Sequence, residues 1–161
     1  AVMRVAGLVL VLATAMCFPA AGKPVIIGVA TVIDGDTIDV SGTRIRLYGI
    51  DAPEGAQLCA RADGAVWQCG DAASLALTRQ LGRSQVRCEA NGQDRYPRTI
   101  AVCFRGGVDI NQWMVANGWA MAFRRYSMAY VSAEDRAQTA RLGLWAGTFQ
   151  MPWDWRRTKG H

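Results

Sequence analysis

The spacing of hydrophobic positions changes several times along the chain, and each change predicts an element. Gly7 to Cys17 is apolar or small throughout. Val25 to Val32 predicts a strand, turned by Asp34-Gly35. Thr37 to Val40 is a second short strand, Ser41-Gly42 turns it, and Thr43 to Ile50 is a third. Alternation in that third strand puts Arg44, Arg46 and Tyr48 on one face and Ile45 and Leu47 on the other. One face therefore suits a core and the other is open to chemistry. Asp51 to Gly70 has no clear period and is broken by Pro53, Gly55, Gly64 and Gly70, so it is expected to be irregular. Asp71 is placed to cap a helix reaching about Leu81, with Leu75, Leu77 and Leu81 as apolar contacts. Val86 to Ala90 and Thr99 to Phe104 predict two strands around a turn-rich segment, Asn91 to Arg98, and Gly106-Gly107 ends the second. Ile110 to Asn117 predicts a short helix ended by Gly118. Another helix is expected from after Ser132 to Arg141, with Ser132 and Asp135 spaced like a capping box and Gly143 ending it. Trp145, Phe149, Trp153 and Trp155 form a tail expected to pack back on the body. Short strands with interspersed helices favour a small β-barrel with helical additions.

The 161 residues suit one domain with its own core. With 51% apolar and 19% charged residues, disorder is excluded as a reading of the whole chain. The apolar run near the start is short for a membrane-spanning helix but right for the core of a secretory leader. Met3-Arg4 would be its basic start and Ala20 or Ala21 its small-residue cleavage region; a buried N-terminal helix or strand is the alternative. The expected division is a leader over 1–20 and one domain over 21–161 with a Trp-rich tail. Without Arg4 and Cys17 the net charge falls from +5 to +4, and four cysteines remain. An even count after export permits two disulfides in any of three pairings. Cys59–Cys69, closing a short loop, and Cys88–Cys103, crossing two adjacent antiparallel strands, are preferred. Zinc is disfavoured, because no C-x₂-C pair exists and His161 is the lone histidine.

Sixteen of the 18 basic residues are Arg; Lys23 and Lys159 are the exceptions. Arg presents a planar fork suited to phosphate, although a generic basic surface has the same composition. Asp34 and Asp36 bracket a glycine in a turn, and Asp51 and Glu54 bracket Ala52-Pro53 just after a strand. Such hard oxygen donors suit calcium or magnesium, while ordinary turn acids are the plainer reading. Arg46 precedes Asp51 by five residues, and Arg98 lies far downstream near Tyr96. Two arginines converging on one phosphate would stabilise the charge that develops in phosphoryl transfer, with a nearby carboxylate such as Glu54 accepting water's proton. Surface salt bridges are the alternative for both arginines.

Three ordered segments narrow these options: Val32-Ile-Asp-Gly-Asp-Thr-Ile38, Arg46-Leu-Tyr-Gly-Ile-Asp-Ala-Pro-Glu54 and Asp94-Arg-Tyr-Pro-Arg98. Together with Gly143-Leu-Trp145 they resemble the staphylococcal nuclease, or thermonuclease, family over about Val25 to Trp145. The resemblance implies a mainly β (α+β) fold: a five-stranded OB-fold barrel with three helices. It implies a calcium-dependent phosphodiesterase site in which Asp36 and Asp51 match the calcium carboxylates. Ala52 matches the residue that offers its backbone carbonyl, replacing the usual threonine, and Asp34 belongs to the same acidic pocket. Glu54 matches the proposed general base, and Arg46 and Arg98 the phosphate-contacting arginines. Tyr96 matches a nucleotide-contacting tyrosine and Tyr126 one of a downstream pair, whose partner position is Arg124 here. Pro97 replaces a usual glycine, and the Gly55–Gly70 connection with its two cysteines is a further departure, expected as a stapled rim. The activity implied is hydrolysis of DNA and RNA to 3′-phosphate products by an exported monomer, secreted or periplasmic, without stable membrane association once the leader is removed. A noncatalytic nucleic-acid-binding relative and a secreted interaction domain using exposed tryptophans are the alternatives.

Overall fold

The computed structural model describes residues 22–160, so the expected leader lies outside the described residues. The strands and helices run β1 (Val25–Asp34), β2 (Thr37–Val40), β3 (Thr43–Leu47), β4 (Ile50–Asp51), β5 (Leu58–Ala60), β6 (Val66–Gln68) and α1 (Cys69–Leu81). They continue with β7 (Gln85–Gln93), β8 (Thr99–Arg105), β9 (Val108–Asp109), α2 (Ile110–Ala116), β10 (Met121–Ala122), α3 (Val131–Thr139), a 3₁₀ turn (Gly143–Ala146) and α4 (Pro152–Lys159).

Five strands close the barrel in the order β3-β2-β1-β7-β8, with β8 returning to lie beside β3. The first four pairings are antiparallel; the closing one is parallel, with Ile45 opposite Thr99 and Arg46 opposite Ile100. This is the mixed OB-type barrel that the resemblance implies, but with four α-helices among the described residues where three were expected. The addition is α4. Its sequence carried the usual marks: Pro152 at the first turn, Asp154 just after it, Arg156, Arg157 and Lys159 in the last turn, and Gly160 in the left-handed cap. Alternation in β3 buries Ile45 and Leu47, as expected, and leaves Arg46 and Tyr48 on the partly open face.

Several boundaries differ from the sequence expectation. The third strand stops at Leu47 because the backbone turns at Gly49, whose φ of +74° favours glycine and whose missing side chain makes room for Tyr130. The chain resumes as β4 and pairs with β10, Asp51 opposite Met121. The stretch expected to be irregular contains the β5–β6 hairpin, with Cys59 opposite Trp67. Helix α1 starts at Cys69, so Asp71 lies in its first turn and favours the positive helix end rather than capping it. Helix α3 starts at Val131, which places Ser132 inside it; Tyr130 holds the cap position.

The core fills the barrel with Ile38, Val40, Ile45, Leu47, Ile50, Leu77, Leu81, Val86, Ile110, Met114 and Val115, all at most 1% exposed. Within it lies buried Asn111. Its Nδ2 donates to the carbonyls of Tyr48 (2.9 Å) and Ala101 (3.1 Å), and its Oδ1 accepts from the Cys103 N–H (3.1 Å). One side chain thus ties α2 to β8 and to the turn before Asp51. Asn111→Ala strands the Tyr48 carbonyl and the Cys103 N–H and is expected to cost about 2–4 kcal/mol, measured by denaturant unfolding.

A satellite core gathers Cys59, Cys69, Met121 and Leu144 with Trp67, Trp145, Phe149, Met151 and Trp153. Both preferred disulfides are formed, Cys59–Cys69 at the base of the hairpin and Cys88–Cys103 between directly opposed residues of β7 and β8. Ala60 pairs with Thr148, so the stapled hairpin is the platform on which the aromatic tail docks. No described helix is long and apolar enough to cross a membrane.

Candidate active site

The β1–β2 turn and the end of β3 bring the acidic positions together. Asp34 Oδ1 accepts from the Asp36 N–H (3.0 Å), which makes its contact a local one that shapes the turn. Asp36 is buried; its Oδ2 accepts from the Ala52 N–H (2.8 Å) and its Oδ1 pairs with Arg46 Nη1 and Thr37 Oγ1. Arg46 Nη2 reaches Asp51 Oδ1 at 2.7 Å. The Arg46 fork therefore spans two buried carboxylates, from the residue before β2 and from β4, with one charge-assisted bond to each. Burial pushes the Asp36 carboxyl up to about 8, with Asp34 and Asp51 adding to the rise and Arg46 and the Ala52 N–H opposing it. Burial works against the Arg46 charge too, but Asp36 and Asp51 outweigh it and hold the proton more tightly than usual.

Glu54 is placed by its backbone. Its carbonyl accepts from the Gln57 N–H at 2.7 Å, and Gly70 at the start of α1 lies so close that a side chain there would strike that carbonyl. The glycine is what permits α1 to begin against the Glu54 segment. The Glu54 side chain is 34% exposed, so its carboxylate is open to solvent.

A second arginine completes the cluster, and the sequence reading missed it. Arg156 of α4 donates from Nη2 to Asp51 Oδ2 (2.7 Å) and from Nη1 to Asp51 Oδ1 (3.1 Å) and Glu54 Oε1 (2.7 Å). These bonds raise its already high pKa although burial opposes the charge. The aromatic pairing of Trp153 with Phe123, stacked at 5.6 Å and 8°, and the bond from Gln57 Nε2 to the Gln150 carbonyl (2.6 Å) fix the approach of α4.

Arg98 is not in this cluster. It pairs with Asp94 through Nε (2.8 Å) and Nη2 (2.6 Å), and its guanidinium lies 5.5 Å from the Tyr96 ring centre. These bonds hold the Asp94 carboxyl below its usual range against the effect of burial. Arg98 directly precedes Thr99, which sits opposite Ile45, so Arg98 and Arg46 rise from neighbouring strands at one end of the barrel. Tyr96 is exposed. Tyr126 is exposed as well and packs edge-on against Phe123 at 5.0 Å, while its carbonyl accepts from the Tyr48 hydroxyl (2.7 Å). Arg124 is engaged elsewhere, its Nη1 2.5 Å from Glu134 Oε2. The structure thus gathers Asp36, Arg46, Asp51 and Glu54, adds Arg156, and leaves Arg98, Tyr96, Tyr126 and Arg124 outside the cluster's hydrogen bonds.

Among the described residues no group of three or more His, Cys, Asp or Glu side chains is set to hold a metal ion as it stands. The donor chemistry nevertheless fits a hard divalent cation: Asp36 and Asp51 are oxygen donors, both buried and both turned to one guanidinium. The positive charge those acids require is supplied by Arg46 and Arg156.

Comparison with known proteins identifies the family. The family described as staphylococcal nuclease homologue matches residues 44–147. The chain is 42% identical over 123 residues to the succinoglycan biosynthesis protein ExoI of Rhizobium meliloti, covering 74% of this chain and 64% of that protein. It is 34% identical over 137 residues to an uncharacterized endonuclease of Haemophilus influenzae, covering 80% of this chain and 71% of that protein. It is 35% identical over 147 residues to a micrococcal nuclease of Shigella flexneri, covering 80% and 79%. The matched residues contain Arg46, Asp51, Glu54 and Arg98 and stop before α4. On the barrel, the acidic pocket and these matches, the chain belongs to the staphylococcal nuclease homologue family.

Proposed function

We propose that the protein is a calcium-dependent nuclease that hydrolyses phosphodiester bonds of DNA and RNA. The observation that carries this reading is the Arg46 fork across Asp36 and Asp51, with Glu54 three residues beyond Asp51. Asp36, Asp51 and the Ala52 carbonyl are the residues that would hold calcium, with Asp34 shaping the turn beside them. When bound there, calcium supplies Lewis-acid stabilisation of the phosphate's charge. Arg46 and Arg98 grip the non-bridging oxygens of the scissile phosphate, Arg98 swinging from Asp94 to do so. Glu54, half open to solvent, accepts the proton of the attacking water. The bond broken is the one that leaves a 3′-phosphate product, as the family resemblance implies. Tyr96 and Tyr126 offer exposed rings on which bases stack without reading sequence. That suits a broad substrate range, since phosphate contacts carry little base information. Two formed disulfides support an oxidising compartment, and hence export to the periplasm or beyond.

Purified protein incubated with DNA and with RNA, in calcium and in chelator, tests the reading. Calcium-dependent cleavage leaving 3′-phosphate ends is the expected result. Binding without cleavage would turn the assignment to a noncatalytic nucleic-acid-binding protein.

A further inference from the structure

Arg156 stands outside every motif that carries the family resemblance, yet it makes three hydrogen bonds to the centre of the site. It takes both oxygens of Asp51 and one of Glu54, the carboxylates assigned above to the cation and to water. Asp51 is fully buried, so its charge requires a close positive partner at all times. Arg46 holds Asp51 Oδ1 in either case, but Asp51 Oδ2 and Glu54 Oε1 are open to Arg156 or to a divalent ion, not to both together. A hard cation requires a carboxylate oxygen at roughly 2.3–2.6 Å, and a guanidinium seated across the same carboxylate repels it at short range.

The anchoring of α4 makes an exchange feasible. Pro152 is buried, Trp153 is stacked on Phe123, and Gln57 holds the Gln150 carbonyl, all at the start of the helix. Arg156 lies beyond these anchors and its side chain is 27% exposed. It can therefore swing into solvent while α4 stays docked.

We propose that Arg156 is a built-in stand-in for the divalent cation, which neutralises Asp51 and Glu54 before the ion binds and competes with it for them. The side chain thereby sets the calcium concentration at which the site loads. This inference rests on the calcium reading above.

Calorimetric titration of calcium into the full chain, without nucleic acid, tests it. Arg156→Gln removes the charge and is expected to bind calcium about tenfold more tightly than the parent, the scale of a lost charge-assisted bond. Arg157→Gln, whose partner is Asp154 on the same helix, is expected to bind as the parent does. Equal or weaker binding by Arg156→Gln overturns the inference and leaves the calcium reading standing. No calcium binding by parent or variant overturns the calcium reading and the inference with it. A second measurement needs no variant to fold. Nitrogen NMR of arginine side chains is expected to show the Arg156 guanidinium lose its hindered rotation as calcium is added to the parent. A guanidinium still hindered at saturating calcium overturns the exchange.

Discussion

Replacing Arg46 by alanine is expected to lower kcat/KM for DNA by about a thousandfold or more, the range seen when one preorganised donor to a developing phosphate charge is removed. Two physical losses combine. The first is chemical: the phosphate loses a fixed positive fork on the face opposite the barrel core. The second is structural, because Arg46 neutralises Asp36 and Asp51, both buried. Removing one partner of a buried ionic network costs about 3–5 kcal/mol. The two losses separate by experiment. Stability is followed by denaturant unfolding, and activity is measured where circular dichroism shows the variant folded. Arg46→Lys retains the charge but cannot fork across two carboxylates, so it is expected to recover stability more than activity. A folded Arg46→Ala protein that cleaves as the parent does would remove Arg46 from the mechanism.

Glu54→Gln is expected to reduce kcat by about a hundredfold to ten-thousandfold while leaving the fold intact. The amide keeps an oxygen able to accept the bond from Arg156 Nη1, so the side chain retains its position. What it loses is the capacity to take a proton from water. Stability within about 1 kcal/mol of the parent, together with unchanged substrate binding, would assign the whole effect to proton transfer. A variant cleaving within severalfold of the parent would show that another group, or solvent itself, receives the proton. Because the glutamate is partly exposed, the substitution strands no buried charge, which is why its energetic signature differs from that of Arg46→Ala.

The parts of this site that were legible in the sequence are those carried by contiguous motifs. Asp36, Arg46, Asp51 and Glu54 were legible through the motifs that carry the family resemblance; turn chemistry and strand alternation put them in turns and on one strand face without bringing them together. The two disulfides followed from loop length and strand adjacency. The β5–β6 hairpin was less visible. Its Asp63-Gly64 turn is explicit, but strands of three residues are too short to show a period. Arg156 illustrates the other limit. The boundaries of α4 are written in Pro152, the terminal charges and Gly160, whereas its docking depends on Trp153 meeting Phe123 and on a contact to Asp51 spanning 105 positions. No local rule specifies such a contact. The aromatic content foretold a packed tail, not which charged side chain the packing would deliver.

The parallel closure of β3 against β8 has a kinetic meaning. The two proposed phosphate arms, Arg46 and Arg98, stand on opposite sides of the last seam of the barrel. That seam joins distant stretches of chain, and such pairings are slow because loop-closure entropy is spent before the contacts repay it. Hydrolytic competence should therefore arrive late in refolding, after β1, β2 and β3 have already formed their meander. Until that seam closes, the chain carries both arginines and all the acids yet holds no assembled phosphate grip.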